Sequence, residues 1–246
     1  MKPHIAVLGS LNMDLVIRSP RIPQPGETII GGGFQTIPGG QGANQAVAAA
    51  RLGADVSLSG RLGDDSFADI LLDNLAASHV DAVYISRDQQ AATGVALIVV
   101  DDRGENSIVV ASGANMQVSE QDVNAAEGVI AGADVLVLQL EVPIPAVYRA
   151  AQIAAEHGVP VILNPAPARE LPGQLFPLVD VLIPNETESA LLSGRDIGNA
   201  EELKKAAKIL LSRGVGSVVI TLGKRGALLT NPDYDGFEVP AFKIDP

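Results

Sequence analysis

The stretch Gly39-Gly40-Gln41-Gly42-Ala43-Asn44-Gln45-Ala46 decides the architecture of this chain, because three glycines in four positions lead directly into a helix-forming run. That run is Ala46–Leu52, and Gly53 follows it as a helix cap. Without side chains on the glycines, a small ligand can approach bare backbone N–H groups at the helix N-terminus, with the amide of Asn44 facing it from the first turn. A tight turn before a core helix gives the same pattern, so this stretch alone does not distinguish a ligand-binding site from a structural turn.

The composition of the 246-residue chain restricts the class of protein. It has 29 acidic and 17 basic residues, a net charge of −12, which argues against nucleic-acid or membrane partners because both require a basic face. Cysteine is absent and there are three histidines, which excludes disulfides and argues against a His-rich metal centre. The N-terminus is too short and polar for a signal peptide, and no apolar run approaches the ~20 residues of a membrane span. We therefore expect a cytoplasmic protein.

Short β-branched runs alternate with Ala- and Leu-rich helical segments along most of the chain. The runs lack polar alternation, which is typical of strands buried on both faces of a parallel sheet. The predicted strands are Ile5–Leu8, Val56–Ser59, Val135–Leu140, Val159–Leu163, Val179–Ile183 and Val218–Leu222. The predicted helices are Ala43–Leu52, Phe67–Ala77, Glu120–Ala131, Ala146–Glu156, Glu186–Leu192 and Glu201–Ser212. The pattern predicts an α/β fold, a parallel-sheet sandwich with helices on both faces.

Two excursions, residues 13–37 and 91–112, interrupt this alternation. The first is rich in proline and glycine, and the second holds two β runs joined by a hairpin turn. The extended pieces are Leu15–Arg18, Thr28–Ile30, Val95–Val100 and Ser107–Ala111, with the turn at Asp101–Gly104. We predict that they form a small β lid over the C-terminal edge of the main sheet, where ligands of open α/β sheets bind. Residues 1–12, 38–90 and 113–246 then form the domain that binds substrate and nucleotide.

Polar side chains follow several predicted strands. Asn12 and Asp14 follow the first, and a spacing of two places both on one face of an extended segment. An amide beside a carboxylate can bond two adjacent hydroxyls. Glu141 ends a later strand and faces the same edge of the sheet. An Asx turn at Asn12 and a solvated loop acid at Glu141 are the alternatives, and the residues alone leave them open.

Two further stretches have two interpretations each. Asn185-Glu186-Thr187-Glu188 has the pattern of a capping box. Alternatively, Asn185 faces a phosphate and Glu188 orients waters of a Mg²⁺, an ion that needs few protein ligands. Thr221-Leu222-Gly223-Lys224-Arg225-Gly226 has the composition of a nucleotide-phosphate loop, with a hairpin turn as the alternative. It is neither a Walker motif nor a dinucleotide fingerprint.

Taken together and in order, these motifs resemble the ribokinase family of carbohydrate kinases, and the resemblance spans the chain from end to end. The matching stretches are Gly9-Ser10-x-Asn12-x-Asp14, Pro25–Thr28, Gly39–Ala46, Thr93–Ile98, Gly104–Asn106, Gly113–Asn115, Leu138–Glu141, Asn164–Pro172, Pro184–Glu188 and Ile220–Gly223. The fold implied by the resemblance is a ribokinase-like sandwich with a β lid, in agreement with the pattern of strands and helices.

The resemblance also implies an activity and a set of site residues. The implied activity is transfer of the γ-phosphate of ATP to O5 of a neutral pentose, D-ribose, with Mg²⁺ and K⁺ and with a homodimer formed through the lid. The implied sugar-binding residues are Asn12, Met13, Asp14, Gly40, Gln41, Gly42, Ala43, Asn44 and Glu141. ATP is assigned to Asn185, Thr221, Leu222, Gly223, Lys224, Arg225 and Gly226, and Mg²⁺ to Glu188. Another kinase of the family, for deoxyribose, another pentose or a nucleoside, is the alternative.

The sequence departs from the family pattern at two places. Gln41 stands where the family typically has Lys, so a charge is lost beside the sugar. The catalytic segment Asp-Thr-x-(Gly/Ala)-Ala-Gly-Asp is expected just beyond Pro246, so no catalytic residue is assigned within the printed chain. Helices that cover the sheet would be missing as well, and we therefore expect a longer natural chain. A non-catalytic sugar- or nucleotide-binding protein is the alternative if the chain ends there.

Overall fold

The strands and helices of the computed structural model, which describes residues 2–243, follow the alternation of the sequence. The strands are β1 (His4–Leu8), β2 (Asn12–Arg18), β3 (Phe34–Gly39), β4 (Asp55–Gly63), β5 (Val80–Asp81), β6 (Ile85–Asp88), β7 (Gly94–Val100), β8 (Asn106–Ala111), β9 (Val135–Leu138), β10 (Val161–Leu163), β11 (Val181–Leu182), β12 (Ser217–Thr221), β13 (Ala227–Thr230) and β14 (Asp235–Val239). The helices are α1 (Gln41–Arg51), α2 (Ser66–Ala77), α3 (Glu120–Ala125), α4 (Glu127–Ala131), α5 (Ile144–Glu156), α6 (Glu186–Ser193) and α7 (Ala200–Ser212). The predicted α/β fold is confirmed.

The main sheet has parallel strands in the order β5-β4-β1-β9-β10-β11-β12. An antiparallel pair, β13 and β14, extends it beyond β12. Because the carboxyl ends of parallel strands meet at one edge, the segments that follow β1, β9, β10, β11 and β12 come together there. The sheet is therefore mixed rather than purely parallel, and the sequence analysis did not predict β13 and β14.

Helices cover both faces of the main sheet because successive side chains of its strands point to opposite faces. In β1, Ala6 and Leu8 belong to one buried apolar cluster, which includes residues of α5 and α7. Val7, between them, belongs to a second cluster that includes residues of α1 and α2. The central strands are therefore buried on both sides, which explains apolar runs such as those of β1 and β9.

One predicted helix is divided in the structure. The expected helix Glu120–Ala131 consists of α3 and α4, which are separated at Ala126. The backbone N–H of Ala126 donates to the carbonyls of both Asp122 and Val123, so the turn tightens there and the helix ends. Gly128 two residues later lowers the helix propensity of the second segment. The prediction of a single helix was wrong for this local reason.

A second sheet of four strands, called the small sheet here, has the order β3-β2-β7-β8. β2 runs parallel to β7, and the β2–β3 and β7–β8 pairs are antiparallel. The predicted turn at Asp101–Gly104 joins β7 to β8, with Gly104 N–H donating to the Asp101 carbonyl. The predicted extended piece Thr28–Ile30 is wrong, since these residues lie outside any strand and β3 begins at Phe34. Among residues 2–243, no helix is long and apolar enough to cross a membrane.

Candidate active site

The glycine-rich stretch crosses the end of β1 and starts α1. Gly40 is the N-cap of α1 and has φ +92°, a conformation that side-chain-bearing residues rarely adopt. A Cβ at Gly40 would lie 2.7 Å from the backbone nitrogen of Asn12, and one at Gly42 would lie 2.7 Å from the backbone of Gly9. The glycines are therefore needed for close packing of two backbone segments, which brings the N-terminus of α1 to the segment after β1.

A cavity of about 560 Å³ opens at this junction. Six of the residues predicted to bind sugar line it, namely Asn12, Asp14, Gly40, Gln41, Asn44 and Glu141. The other three, Met13, Gly42 and Ala43, are buried beside it, and the Met13 side chain packs in the apolar cluster with α1 and α2. Most of the residues that the sequence predicts to bind sugar thus line one cavity. Their roles in binding stay predictions.

Glu141 is held at the N-terminus of α1. Its Oε2 accepts a hydrogen bond from the hydroxyl of Ser10 and one of 3.3 Å from the backbone N–H of Gln41. The Ser10 hydroxyl in turn accepts from the backbone N–H of Gly42 at 3.3 Å. A carboxylate suits this position because the N-terminus of a helix carries partial positive charge and unpaired N–H groups. Ser10 was not predicted as a site residue, although it stands in the Gly9-Ser10 motif.

Asp14 is the second carboxylate of the cavity and is half-buried. Burial, and then the nearby charge of Glu141, raise the pKa of Asp14 above its usual value. No Lys or Arg is among the residues described as lining the cavity, so neither carboxylate has a cationic partner there. Two carboxylates and four side-chain amides around one cavity favour a neutral ligand with several hydroxyl groups and disfavour an anionic one.

An apolar wall faces these polar groups and was missed by the sequence analysis. It consists of Ala96 and Ile98 from β7 and Ile108 and Val110 from β8. In the register of the small sheet, Asp14 pairs with Ala96 and Ala96 pairs with Val110, so all three lie on one face. The spacing of two within each strand was the available signal. An apolar wall of this kind suits the C–H surface of a sugar ring.

The predicted capping box at the start of α6 is confirmed. The Asn185 side chain accepts from the Glu188 backbone N–H at 2.8 Å, and Glu188 accepts from the Asn185 backbone N–H at 2.8 Å and its side-chain amide at 3.0 Å. Burial raises the pKa of Glu188, although the bonds from Asn185 oppose this change. The alternative roles in binding phosphate and Mg²⁺ remain predictions, because a cap and a ligand contact are compatible.

The loop Thr221–Gly226 is a hairpin turn between β12 and β13, which was the alternative given for this stretch in the sequence analysis. Its ends are joined by a hydrogen bond of 2.8 Å from the Leu222 N–H to the Gly226 carbonyl. Arg225 is paired with Glu186, whereas Lys224 has no ion-pair partner in the described part of the chain. A backbone bridge connects Thr221 to Asn185, so the two stretches predicted to bind nucleotide lie side by side.

The two groups of predicted residues lie at the same edge of the main sheet. The sugar group follows β1 and β9 and the nucleotide group follows β11 and β12, with β10 between them. Within residues 2–243 there is no group of three or more His, Cys, Asp or Glu side chains that could hold a metal ion. The catalytic segment expected just beyond Pro246 lies outside the described residues.

Comparison with known proteins identifies the class. Residues 2–246 match the model of the pfkB family carbohydrate kinases, and the chain belongs to this family, which makes it a sugar kinase. The resemblance stated from the sequence motifs is thereby confirmed.

Individual relatives of the chain are kinases named for particular sugars. Ribokinase of Staphylococcus aureus (strain COL) is 42% identical over 100% of this chain and 81% of its own length. Deoxyribokinase of Salmonella typhi is 38% identical over 98% of this chain and 79% of its own. The structure of Arabidopsis thaliana ribokinase complexed with ribose and ATP superposes with a TM-score of 0.86 at 31% identity, covering 98% of this chain and 78% of that one.

Proposed function

We propose that this protein is an ATP-dependent ribokinase, which transfers the γ-phosphate of ATP to O5 of D-ribose. The observation that carries the proposal is the cavity with Asp14 and Glu141, which suits a neutral polyol, in a carbohydrate kinase chain that is 42% identical to a ribokinase. The neighbour solved with ribose and ATP supports the choice of both substrates.

The residues of the cavity act by positioning the sugar. Asp14 and Glu141 accept hydrogen bonds from its hydroxyls, and the side chains of Asn12 and Asn44 complete the polar contacts. Met13, Gly40, Gln41, Gly42 and Ala43 form the backbone around it. The apolar wall of the small sheet covers the C–H surface and excludes water. Held in this way, the primary hydroxyl faces the neighbouring strand ends, and this alignment is a major contribution to the rate.

The nucleotide is assigned to the adjacent strand ends, where the residues fit its phosphates. The exposed Lys224 supplies a cation, and the turn from Thr221 to Gly226 presents backbone at a strand end beside Asn185. Glu188 already bonds both of its oxygens to Asn185, which fits contact with Mg²⁺ through water. When bound, Mg²⁺ neutralises the charge of the transferring phosphoryl group. The use of K⁺ is a prediction from the family resemblance alone.

We also propose a homodimer formed through the small sheet, which closes as a lid over the cavity. The face of the sheet opposite the cavity is apolar and exposed, with Leu97 53% and Val109 64% accessible. Burial of such a face against a second copy of the chain would remove apolar surface from water. Light scattering of the purified protein is expected to give the mass of a dimer. The lack of nucleic-acid and membrane partners is proposed from the acidic composition. A cytoplasmic location stays a prediction.

The decisive experiment compares sugars by ADP release from the full-length protein. We expect kcat/KM for D-ribose to exceed that for 2-deoxyribose, hexoses and nucleosides. Faster turnover of a nucleoside or a hexose would refute the assignment. A deoxyribose kinase is the second candidate, because the Salmonella typhi deoxyribokinase is 38% identical, and a preference for 2-deoxyribose would select it. Ribose binding without ADP release would instead indicate a non-catalytic binding protein.

A further inference from the structure

Asn115 is a buried polar side chain that the proposed function does not use. It belongs to the motif Gly113-Ala114-Asn115, lies in a short 3-10 helix, Gly113–Gln117, and is only 1% exposed. Here the chain returns from β8 of the small sheet to the main fold. A fully buried amide is costly unless its donors and acceptors are all bonded, so its partners define its role.

The orientation of the Asn115 amide is fixed by the backbone of Leu11. The Leu11 N–H donates to Asn115 Oδ1 at 2.9 Å, and Asn115 Nδ2 donates to the Leu11 carbonyl at 3.0 Å. A backbone N–H can only donate and a carbonyl can only accept, so exchange of the amide oxygen and nitrogen would break both bonds. The nitrogen of Asn115 must therefore also face the next residue, Asn12.

The fixed orientation of Asn115 in turn fixes the orientation of Asn12, which lines the sugar cavity. Asn115 Nδ2 donates to Asn12 Oδ1 at 2.8 Å, so the oxygen of Asn12 is occupied and its amide nitrogen is directed away from Asn115. The nitrogen has no hydrogen-bond partner within residues 2–243, and Asn12 lines the cavity. We propose that Asn115 is a positioning residue, which fixes the Asn12 amide so that it donates to a sugar oxygen while neighbouring Asp14 accepts from a hydroxyl.

The packing around the two amides supports this role independently. Gly94 pairs with Asn12 in the register of β2 and β7. A Cβ at Gly94 would collide with both Asn12 Oδ1 and Asn115 Nδ2, so the pair occupies the space that a side chain would take. The pair is enclosed on this side, so the two amides stay in contact, and their hydrogen bonds decide which atom of Asn12 faces the cavity. The inference rests on the proposed sugar-binding role of the cavity and assigns the polarity of one of its contacts.

The test uses the near-isosteric variant Asn115→Asp in the full-length protein. Its carboxylate can donate neither to Asn12 nor to the Leu11 carbonyl, so one backbone bond is lost and the Asn12 amide should reverse and present oxygen to the sugar. We expect D-ribose affinity, measured by calorimetry, to fall about 10- to 100-fold, with ATP affinity changed less than twofold. In an Asn12→Ala background, the same substitution should leave ribose affinity unchanged. An equal loss in both backgrounds would overturn the proposal, because it would indicate general damage to the fold.

Two further variants separate this effect from folding. Thr93→Val is the matched control, because Thr93 is a buried polar residue next to Gly94. Its hydroxyl bonds Asp65 and Gly63 and, within residues 2–243, makes no hydrogen bond to Asn12. Thr93→Val should lower Tm and leave ribose affinity within twofold. Asn12→Asp still accepts from Asn115, so it should fold as the wild type does and lose affinity about 10- to 100-fold. Unchanged ribose affinity in Asn12→Asp would refute the assigned polarity. If the wild type bound no ribose, the proposed function would fail instead.

Discussion

The substitution Asp14→Asn is expected to weaken sugar binding and to stabilise the free protein at the same time. Asp14 is half-buried beside Glu141 in a cavity whose described lining has no Lys or Arg, so its charge is unfavourable until a hydroxyl is bound. Replacement of a charged acceptor by a neutral one of the same shape removes about 1–2 kcal/mol of binding free energy. The Kd for D-ribose should therefore rise roughly 5- to 30-fold in calorimetry.

The opposite effect on stability follows from the raised pKa of Asp14. A carboxyl whose pKa is higher in the folded state than in the unfolded state binds a proton more readily when folded, so its ionised form lowers the free energy of unfolding at neutral pH. Asp14→Asn removes this penalty and should raise Tm without sugar. The gain should shrink as the pH falls through the raised pKa, and the wild type should lose ribose affinity over the same range.

The matched control is Asp102→Asn, since Asp102 is exposed at the hairpin of the same small sheet. It should change neither Tm nor ribose affinity. If Asp14→Asn bound ribose as tightly as the wild type, Asp14 would not contact the sugar and the proposed cavity would be wrong. If the variant melted at a lower temperature, the account of its raised pKa would be refuted.

Two other predictions concern the glycine-rich stretch and the nucleotide loop. Gly42→Ala places a Cβ 2.7 Å from the backbone that follows β1, so it should cost about 1–3 kcal/mol of stability and weaken ribose binding. In Gly128→Ala the Cβ meets no atom within 4 Å outside the adjacent residues and backbone of its own helix, so this change should stabilise α4 by up to about 1 kcal/mol in thermal melts. Equal melting of the two variants would contradict the close approach. Lys224→Ala should weaken ATP binding roughly tenfold in calorimetry, while Arg225→Ala, which loses a surface pair with Glu186, should change it much less. A larger effect of Arg225→Ala would reverse these assignments.

The fold could be predicted largely because most parallel strands are buried on both faces and are therefore rich in apolar residues. The wrong strand predictions lie in segments whose conformation is set by pairing with distant strands. Thr28–Ile30 has high β propensity but forms no strand, and Ile30 is 92% exposed. Phe34–Gly39 forms β3 instead, because this segment pairs with β2 directly before the glycine-rich turn. Strand propensity depends on such partners, which the local sequence does not contain.

The grouping of polar residues was predictable where they come within a few residues of the end of a parallel strand, as Asn12, Glu141 and Asn185 do. The contact of Ser10 with Glu141 and the proposed positioning role of Asn115 were missed because both depend on partners far along the chain. Ser10 donates to a residue 131 positions away, and Asn115 bonds a backbone 104 positions away. No spacing in the sequence reveals such bonds. By contrast, both strands of the apolar wall were predicted from the sequence, and because alternate residues of a strand share a face, a wall of apolar side chains could have been inferred from them.

The link between Leu11 and Asn115 has a consequence for the order of folding. Closure of a loop of about a hundred residues costs conformational entropy before any contact compensates for it, and such contacts form late. The small sheet depends on the same long-range closure, because β2 pairs with β7. The sugar cavity should therefore form only after β1 has paired with β4 in the main sheet. Until then β7 and β8 present apolar strand edges to other chains, and this interval is when the protein is most exposed to aggregation.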